Sequence, residues 1–249
     1  MSNYAYNRVV VGVDDTAERQ PVLKNAAAEA RRLNAGLTVM HVFDQPVALG
    51  MAPWPLGFDQ AVQESTAALE QLVTKVRAEN PDLDVRSVLV VGSPAYVLVE
   101  ASREAKLVVL GCRGMGGFAE LLLGSVSAQT ATHSHCPVLV LRPAAAEASP
   151  SAGPVLVGVD GSSASTAAIE FAFAEADARR TGLVALHCWA PAPTLSFTQE
   201  YAQAELDADG EAARVLLAKA IADWAQTYPD VTVEQRVVLD AAPESIGGT

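Results

Sequence analysis

The chain has 249 residues, half of them hydrophobic, with 17 basic against 29 acidic residues and a formal net charge of -12. This length and hydrophobic content exclude a largely disordered chain and suffice for one large domain or two of ordinary size. The acidic balance, which no basic patch offsets, argues against binding to nucleic acid or to an anionic membrane surface.

Short β-branched runs alternate with longer helical patterns between residues 9 and 141, which is typical of a parallel sheet wrapped by helices. Helices are predicted from about Pro21 to Gly36, from Asp59 to Asn80 and from Val126 to Thr132. The strands are apolar almost throughout, as in sheets buried on both faces. They are predicted at Val9–Val13, Leu37–Val42, Val85–Val91, Leu107–Leu110 and Val138–Leu141.

A glycine pattern follows the fourth predicted strand. Gly111 and Gly114 are separated by two residues, and after nine more residues the pair Gly124-Ser125 opens the last helix. Glycines between a strand and a helix let backbone N–H groups approach an anion closely, and the helix N-terminus adds a favourable dipole. The pattern therefore predicts a phosphate-binding loop and a bound nucleotide.

The sequence contains an internal repeat. Val9–Asp15 recurs as Val155–Gly161, and Leu37–Phe43 recurs as Leu183–Trp189 at the same offset. Two copies of one domain are therefore predicted, at residues 1–143 and 155–249. The segment 144–154 between them is rich in alanine, proline and serine, as linkers are.

The second copy matches the first only in part. It can be followed through its third strand, Val231 to Leu239, but counterparts of residues 101–142 do not follow. We expect this copy to lack strands four and five and the phosphate loop, as a truncated domain would. The first strand of its sheet would then have an uncovered edge, which is an aggregation hazard unless something pairs with it.

Together these features resemble the universal stress protein family, in the tandem, ATP-binding form found in actinobacteria. The most specific match is the family pattern G-x-x-G-(nine residues)-G-[ST], which Gly111, Gly114, Gly124 and Ser125 meet without a gap. An Asp ends strand one, and His-Val ends strand two. The resemblance implies an α/β fold of two tandem Rossmann-like domains of the adenine nucleotide alpha hydrolase type. In the first domain it implies a five-stranded parallel sheet of order 3-2-1-4-5.

The resemblance also implies a site for ATP, accompanied by Mg²⁺ or Mn²⁺. Asp14 would lie near the adenosine, and the backbone of Val42 would recognise the adenine edge. In a sheet of this order the site lies at the carboxyl ends of strands one and four, on either side of the topological switch point. The ribose and phosphates would contact Gly111, Arg113, Gly114, Gly124, Ser125 and Val126.

Several of these residues also have structural explanations. Asp14 could be a turn or helix-entry residue, and Ser125 could cap the last helix. His41 and its counterpart His187 could serve in packing or contact a ligand. Cys112 could be a redox-sensitive thiol beside the loop, although a small residue that fills a tight loop is the more frequent case.

Signals for metal, disulfides and targeting are weak. The cluster His133-Ser134-His135-Cys136 lacks the four-ligand spacing of a zinc site, and we expect it to end the last helix. Cys112, Cys136 and Cys188 are odd in number and far apart, so no disulfide framework is predicted. Residues 1–8 lack a signal-peptide region, and no apolar run approaches the roughly 20 residues that span a bilayer. We therefore expect a cytoplasmic protein.

Three functional classes are open. The first, which the resemblance implies and we favour, is a nucleotide-dependent regulator in stress response or growth arrest. The second is a weak ATP hydrolase, but residues 111–126 contain no lysine and no catalytic constellation converges on them. The third is a dimeric interaction scaffold with a vestigial pocket. Because family members often pair along strand five, we expect a homodimer through Val138–Leu141.

Overall fold

The structure is a computed structural model that describes residues 4–14, 19–44, 57–112, 124–142, 153–190 and 199–239. The chain divides into two compact units, Met1–Ser149 and Pro150–Thr249. Each unit has a sheet and a hydrophobic core of its own, as separate domains do.

The first unit is built on a five-stranded parallel sheet. Its strands are β1 (Arg8–Val13), β2 (Gly36–Phe43), β3 (Val85–Val91), β4 (Leu107–Gly111) and β5 (Val138–Leu141). Their order is β3-β2-β1-β4-β5, and every pairing is parallel. The predicted fold class, strand positions and strand order are therefore confirmed.

The described helices of the first unit are α1 (Arg19–Arg32), α2 (Phe58–Glu79), α3 (Pro94–Ser102) and α4 (Ser125–His133). The predictions for α2 and α4 are correct to within one residue at each end. The predicted end of the first helix near Gly36 is wrong, because α1 already ends at Arg32. Asn34 adopts a left-handed conformation (φ 48°), and the N–H of Ala35 closes the helix by donating to the carbonyl of Ala30.

Successive residues of β1 face two different cores. Val9 and Val11 pack with α1 and α2 on one side of the sheet, and Val10 packs with residues of α3 on the other. All three valines are fully buried, at 0% exposure. Because β1 is buried along most of its length, it can contact a ligand only near its carboxyl end, where the chain leaves the sheet.

Arg8 is a buried charge at the amino end of the same sheet. Its guanidinium donates to Thr38 Oγ1 (2.9 Å), to the carbonyl of Leu37 (2.8 Å), and to both the carboxylate (2.5 Å) and the carbonyl (2.6 Å) of Asp84. The hydrogen bond from Arg8 holds the pKa of Asp84 below its ordinary value. One cation thus links the start of β1 to β2 and to the residue that precedes β3.

Thr130→Val should raise the stability of the first unit by about 1 kcal/mol. Thr130 is fully buried in α4, and its hydroxyl has no hydrogen-bond partner among the described residues. Valine keeps the shape of the side chain and removes the unsatisfied group, and the two residues have similar helix propensities. The urea midpoint of the full chain measures the effect. Thr132→Val is the control, because that hydroxyl is exposed and already donates to the carbonyl of Ala128. A lower midpoint for Thr130→Val would contradict the expectation.

The second unit repeats the first part of this architecture. Its described elements are β6 (Val155–Gly158), α5 (Ser163–Arg179), β7 (Leu183–Trp189), α6 (Gln199–Thr227) and β8 (Val233–Leu239). The described strands form a parallel sheet of order β6-β7-β8, the counterpart of β1-β2-β3. The third strand begins two residues later than the predicted Val231. None of the described helices in either unit is long and apolar enough to cross a membrane.

Candidate functional site

Three strand ends meet at the carboxyl edge of the first sheet. Asp14 directly follows β1, Val42 is the penultimate residue of β2, and Gly111 is the last residue of β4. Because β1 is paired in parallel with both β2 and β4, these ends open on the same edge. Helices α1 and α2 cover one face of the sheet and α3 covers the other, so the neighbouring ends of β1 and β4 flank a topological switch point.

The backbone of Val42 lies beside the end of β1. In a parallel ladder the backbone groups of successive residues face alternate neighbours. Leu37 N–H and Phe43 C=O both form hydrogen bonds on the β3 side, so the even-numbered residues of β2 face β1. The pairing of β1 with β2 ends at Val13. In this register the N–H of Val42 faces the carbonyl of Val13, and the C=O of Val42 lies at the level where Asp14 leaves the sheet.

A shallow cleft, partly open to solvent, lies between the ends of β1 and β2 and helix α2. Apolar side chains of α2 form one wall, and Asp14, His41 and Ser65 contribute polar groups. The glycines of β4 and α4 lie on the other side of β1. A ligand that used both regions would therefore cross the end of β1. The cleft is lined by Val13, Asp14, His41, Ser65, Ala68, Leu69 and Leu72.

Hydrogen bonds join the end of β4 to the start of α4. Gly124 N–H donates to the carbonyl of Cys112 (2.6 Å), and the hydroxyl of Ser127 donates to the carbonyl of Gly111 (2.7 Å). Cys112 N–H in turn donates to Leu141 of β5 (2.9 Å). Gly111 and Gly124, one from each half of the glycine pattern, are thus brought together although residues 112–123 separate them in sequence. Sequence reasoning missed Ser127, whose only signal is a hydroxyl within the first turn of the helix.

The amino end of α4 suits an anion. Gly124 occupies the N-cap position in an extended conformation (φ -70°, ψ 160°), and no side chain of the described residues caps the helix. The structural alternative for Ser125, capping of this helix, does not apply, because Ser125 is already helical and the cap is the residue before it. The first turn contains no acidic residue, and Ser125 is exposed. The first N–H groups of α4, those of Ser125 and Val126 included, therefore have neither an intrahelical acceptor nor a competing carboxylate in that turn.

Two of the predicted site residues, Arg113 and Gly114, lie outside the described residues. The other six belong to the carboxyl ends of β1, β2 and β4 and to the adjoining start of α4. They are Asp14, Val42, Gly111, Gly124, Ser125 and Val126. Their contact with a nucleotide stays a prediction.

In the second unit the counterpart of Asp14 has a structural role. Asp160 Oδ1 accepts the N–H of Ser162 (2.9 Å), and hydrogen bonds from Ser162 hold the pKa of Asp160 below its ordinary value. Ser162 caps α5 by accepting the N–H of Ser165 (3.2 Å). Asp160 is thus the helix-entry residue that the sequence also allowed Asp14 to be.

The histidine-rich cluster ends α4, as expected. His133 Nδ1 donates to the carbonyl of Gln129 (2.9 Å), and the N–H of His135 donates to Ser102 Oγ (2.9 Å). Within the described parts of the chain, no group of three or more His, Cys, Asp or Glu residues could hold a metal ion. Cys112 is only 3% exposed, which supports its interpretation as a small residue in a tight connection.

Comparisons with known proteins match both units to the same family. The model of the universal stress protein family matches residues 5–142 and 152–246. A universal stress protein of Mycolicibacterium smegmatis is 38% identical over 241 residues, which cover 92% of this chain and 78% of that protein. A universal stress protein of Mycobacterium tuberculosis is 36% identical over 243 residues, covering 93% and 79%. The crystal structure of a universal stress protein from Archaeoglobus fulgidus has the same fold, with a TM-score of 0.63 and 18% identity over 96% of this chain and 78% of that one.

Proposed function

The chain belongs to the universal stress protein family, and from the geometry of its first unit we propose that it binds ATP and acts as a nucleotide-dependent regulator in stress response or growth arrest. The main support is the junction between β4 and α4. There the hydrogen bonds of Gly124 and Ser127 hold the end of β4 beside the N-terminus of α4, which no side chain of the described residues caps. Such an end, with its N–H groups and its dipole, favours phosphate.

The adenosine half of the ligand fits the other side of β1. The C=O of Val42 lies beyond the end of that strand, where it can accept a hydrogen bond from the amino group of adenine. The cleft beside Asp14 offers apolar side chains of α2, such as Leu69 and Leu72, to the flat base. In this proposal ATP crosses the end of β1, with its base toward β2 and its phosphates toward α4.

A divalent cation, Mg²⁺ or Mn²⁺, accompanies the triphosphate in this proposal. Mg²⁺ is usually held by one or two carboxylates together with phosphate oxygens and water. Asp14 and Asp44, which directly follow β1 and β2, offer carboxylates at this edge. The cation would also reduce repulsion between the phosphates and a chain whose net charge is -12.

We propose that the site holds ATP rather than consumes it. The sequence contains no G-x-x-x-x-G-K-[ST] loop, and residues 111–126 include no lysine to stabilise charge that develops on a transferring phosphate. Weak hydrolysis is the alternative, and it would rely on the cation and Arg113. A chain that holds ATP would work in the cytoplasm, where ATP is abundant.

A homodimer through β5 is the second part of the proposal. β5 is an edge strand of the first sheet, and all four of its residues are partly exposed. An apolar edge strand needs a cover, and pairing with the same strand of a second copy supplies one. Analytical ultracentrifugation that found only monomers would contradict it.

Heating the purified full chain and separating the released small molecules by chromatography tests the function. Near-stoichiometric ATP, about one molecule per chain, is expected, because the complete glycine pattern occurs once in the sequence. Release of ADP, together with turnover of added ATP, would favour the hydrolase. No released nucleotide, and no binding of added MgATP, would favour the scaffold.

A further inference from the structure

The side chain of His41 ties β2 to the end of β1. Its Nδ1 lies 3.0 Å from the carbonyl oxygen of Val13. Because a carbonyl oxygen only accepts, Nδ1 carries a proton and donates it. The same ring lines the cleft beside Asp14. His41 therefore holds the backbone at one edge of the cleft and forms part of its wall.

This hydrogen bond fixes the peptide that leads into Asp14. The C=O of Val13 and the N–H of Asp14 belong to one planar peptide group. A held carbonyl therefore sets the direction in which the chain leaves β1. On the other strand, His41 directly precedes Val42, whose backbone groups face the end of β1. The bond thus lies between the two residues that the proposed function assigns to the adenosine.

The second unit forms the same hydrogen bond. His187 Nδ1 donates to the carbonyl of Val159 (2.6 Å), and the two partners are 28 residues apart in both units. His187 is buried, and Asp160 follows Val159 as Asp14 follows Val13. The bond therefore recurs at the end of the first strand of each copy, whereas the complete glycine pattern belongs to the first copy alone. The bond between His187 and Val159 is therefore a control for the bond between His41 and Val13, because the complete glycine pattern does not accompany it.

We propose that His41 is a positioning residue of the ATP site, whose hydrogen bond to Val13 holds Asp14 and Val42 in the relative placement that binds adenosine. This role rests on the proposed ATP binding and adds a residue that acts through the backbone. Without the bond, the carbonyl of Val13 keeps only its ladder contact with β2, so the peptide before Asp14 is held less firmly. ATP binding must then order that peptide, which weakens the affinity.

Titration calorimetry of the full chain with MgATP tests this role in the unmodified protein and three variants. His41→Leu removes the donor, and the side-chain amide of His41→Asn can place its nitrogen where Nδ1 lies. His187→Leu removes the matching bond in the second unit. We expect His41→Leu to weaken ATP binding about fivefold or more and His41→Asn to stay within about twofold. His187→Leu should leave the affinity unchanged, although it lowers the thermal midpoint.

The outcomes separate this role from the proposed function. If His41→Leu binds ATP as well as the unmodified protein does, the positioning role is overturned and ATP binding stands. If the unmodified protein binds no ATP, the proposed function fails and the role fails with it. If His187→Leu loses as much ATP affinity as His41→Leu does, the effect comes from general destabilisation. That result would also overturn the positioning role.

A second comparison applies if His41→Leu does not fold. The longer amide of His41→Gln places its nitrogen near the position of Nε2 rather than Nδ1. We therefore expect His41→Gln to bind ATP about fivefold more weakly than His41→Asn, and equal affinities would overturn the role.

Long-range ¹H–¹⁵N spectra of the unmodified protein should show a proton on Nδ1 of His41 at neutral pH. A neutral ring protonated only on Nε2 would contradict the hydrogen bond.

Discussion

Ser125→Asp is expected to weaken ATP binding at least about tenfold, which is about 1.4 kcal/mol, without destabilising the first unit. Ser125 is the exposed first residue of α4, in a turn with no acidic residue. A carboxylate there would repel the phosphates that the proposed function assigns to this helix end. Two charges about 4 Å apart near a protein surface interact by about 4 kcal/mol before screening by salt.

The same carboxylate should improve the helix itself. A negative charge in the first turn interacts favourably with the helix dipole, by about 0.3–1 kcal/mol. Affinity and stability therefore move in opposite directions, a result that partial unfolding of the variant cannot produce. Titration calorimetry with MgATP measures the affinity, and thermal unfolding without nucleotide measures the stability.

Gln129→Glu is the matched control for Ser125→Asp. Gln129 is exposed on α4 about one turn further along, so this variant adds the same charge away from the first turn. Its ATP affinity should stay within about threefold of the unmodified value, since the effect of a charge at a helix end falls off within one turn. If Ser125→Asp retains full affinity, the phosphates do not bind at the start of α4.

The sheet was predictable because its strands are buried on both faces. Val9, Val10 and Val11 could be recognised as one strand from their apolar character alone, and their complete burial explains why. Glycine spacing likewise predicted that the end of β4 and the start of α4 lie together. The bonds that join them could not be predicted in the same way. The hydroxyl of Ser127 finds the carbonyl of Gly111 only once the helix has docked beside the strand.

Contacts between side chains and distant backbone account for most of what the sequence did not reveal. The sequence placed His41 at a strand end and left packing or ligand contact open. The structure gives it a third role, as the donor to Val13. That partner depends on the register between β1 and β2, which hydrophobic patterns do not specify to the atom. The internal repeat predicts that the two copies share a topology, but it does not predict which side-chain contacts each copy forms.

Gly36→Ala is expected to destabilise the first unit by about 3 kcal/mol, because the methyl group meets a buried cation. A Cβ at Gly36 would lie 2.5 Å from Arg8 Cζ and 2.8 Å from Nη2, closer than side-chain atoms approach. The guanidinium cannot easily yield, since it is buried and donates to Thr38, Leu37 and Asp84. Either these bonds are lost or the start of β2 must shift.

The second unit provides the control. Gly182 precedes β7 as Gly36 begins β2, but the residue that corresponds to Arg8 there is Pro154. A Cβ at Gly182 would lie 3.3 Å from the nearest atom, the carbonyl oxygen of Thr232, so Gly182→Ala requires only a small adjustment. Urea unfolding gives the size of each effect. Hydrogen exchange separates loosening of β1–β3 from loosening of β6–β8.

A double-mutant cycle tests the cause. Arg8→Met removes the guanidinium, and in that background Gly36→Ala should cost about 1 kcal/mol or less, which leaves a coupling of about 2 kcal/mol between the two positions. Glycine also loses more chain entropy on folding than alanine, so a residual cost near zero agrees with the same explanation. An equal cost of Gly36→Ala with and without the Arg8 side chain would show that the methyl group does not act through Arg8. The cation would then be a neighbour of Gly36 rather than the reason that glycine is needed where β2 begins.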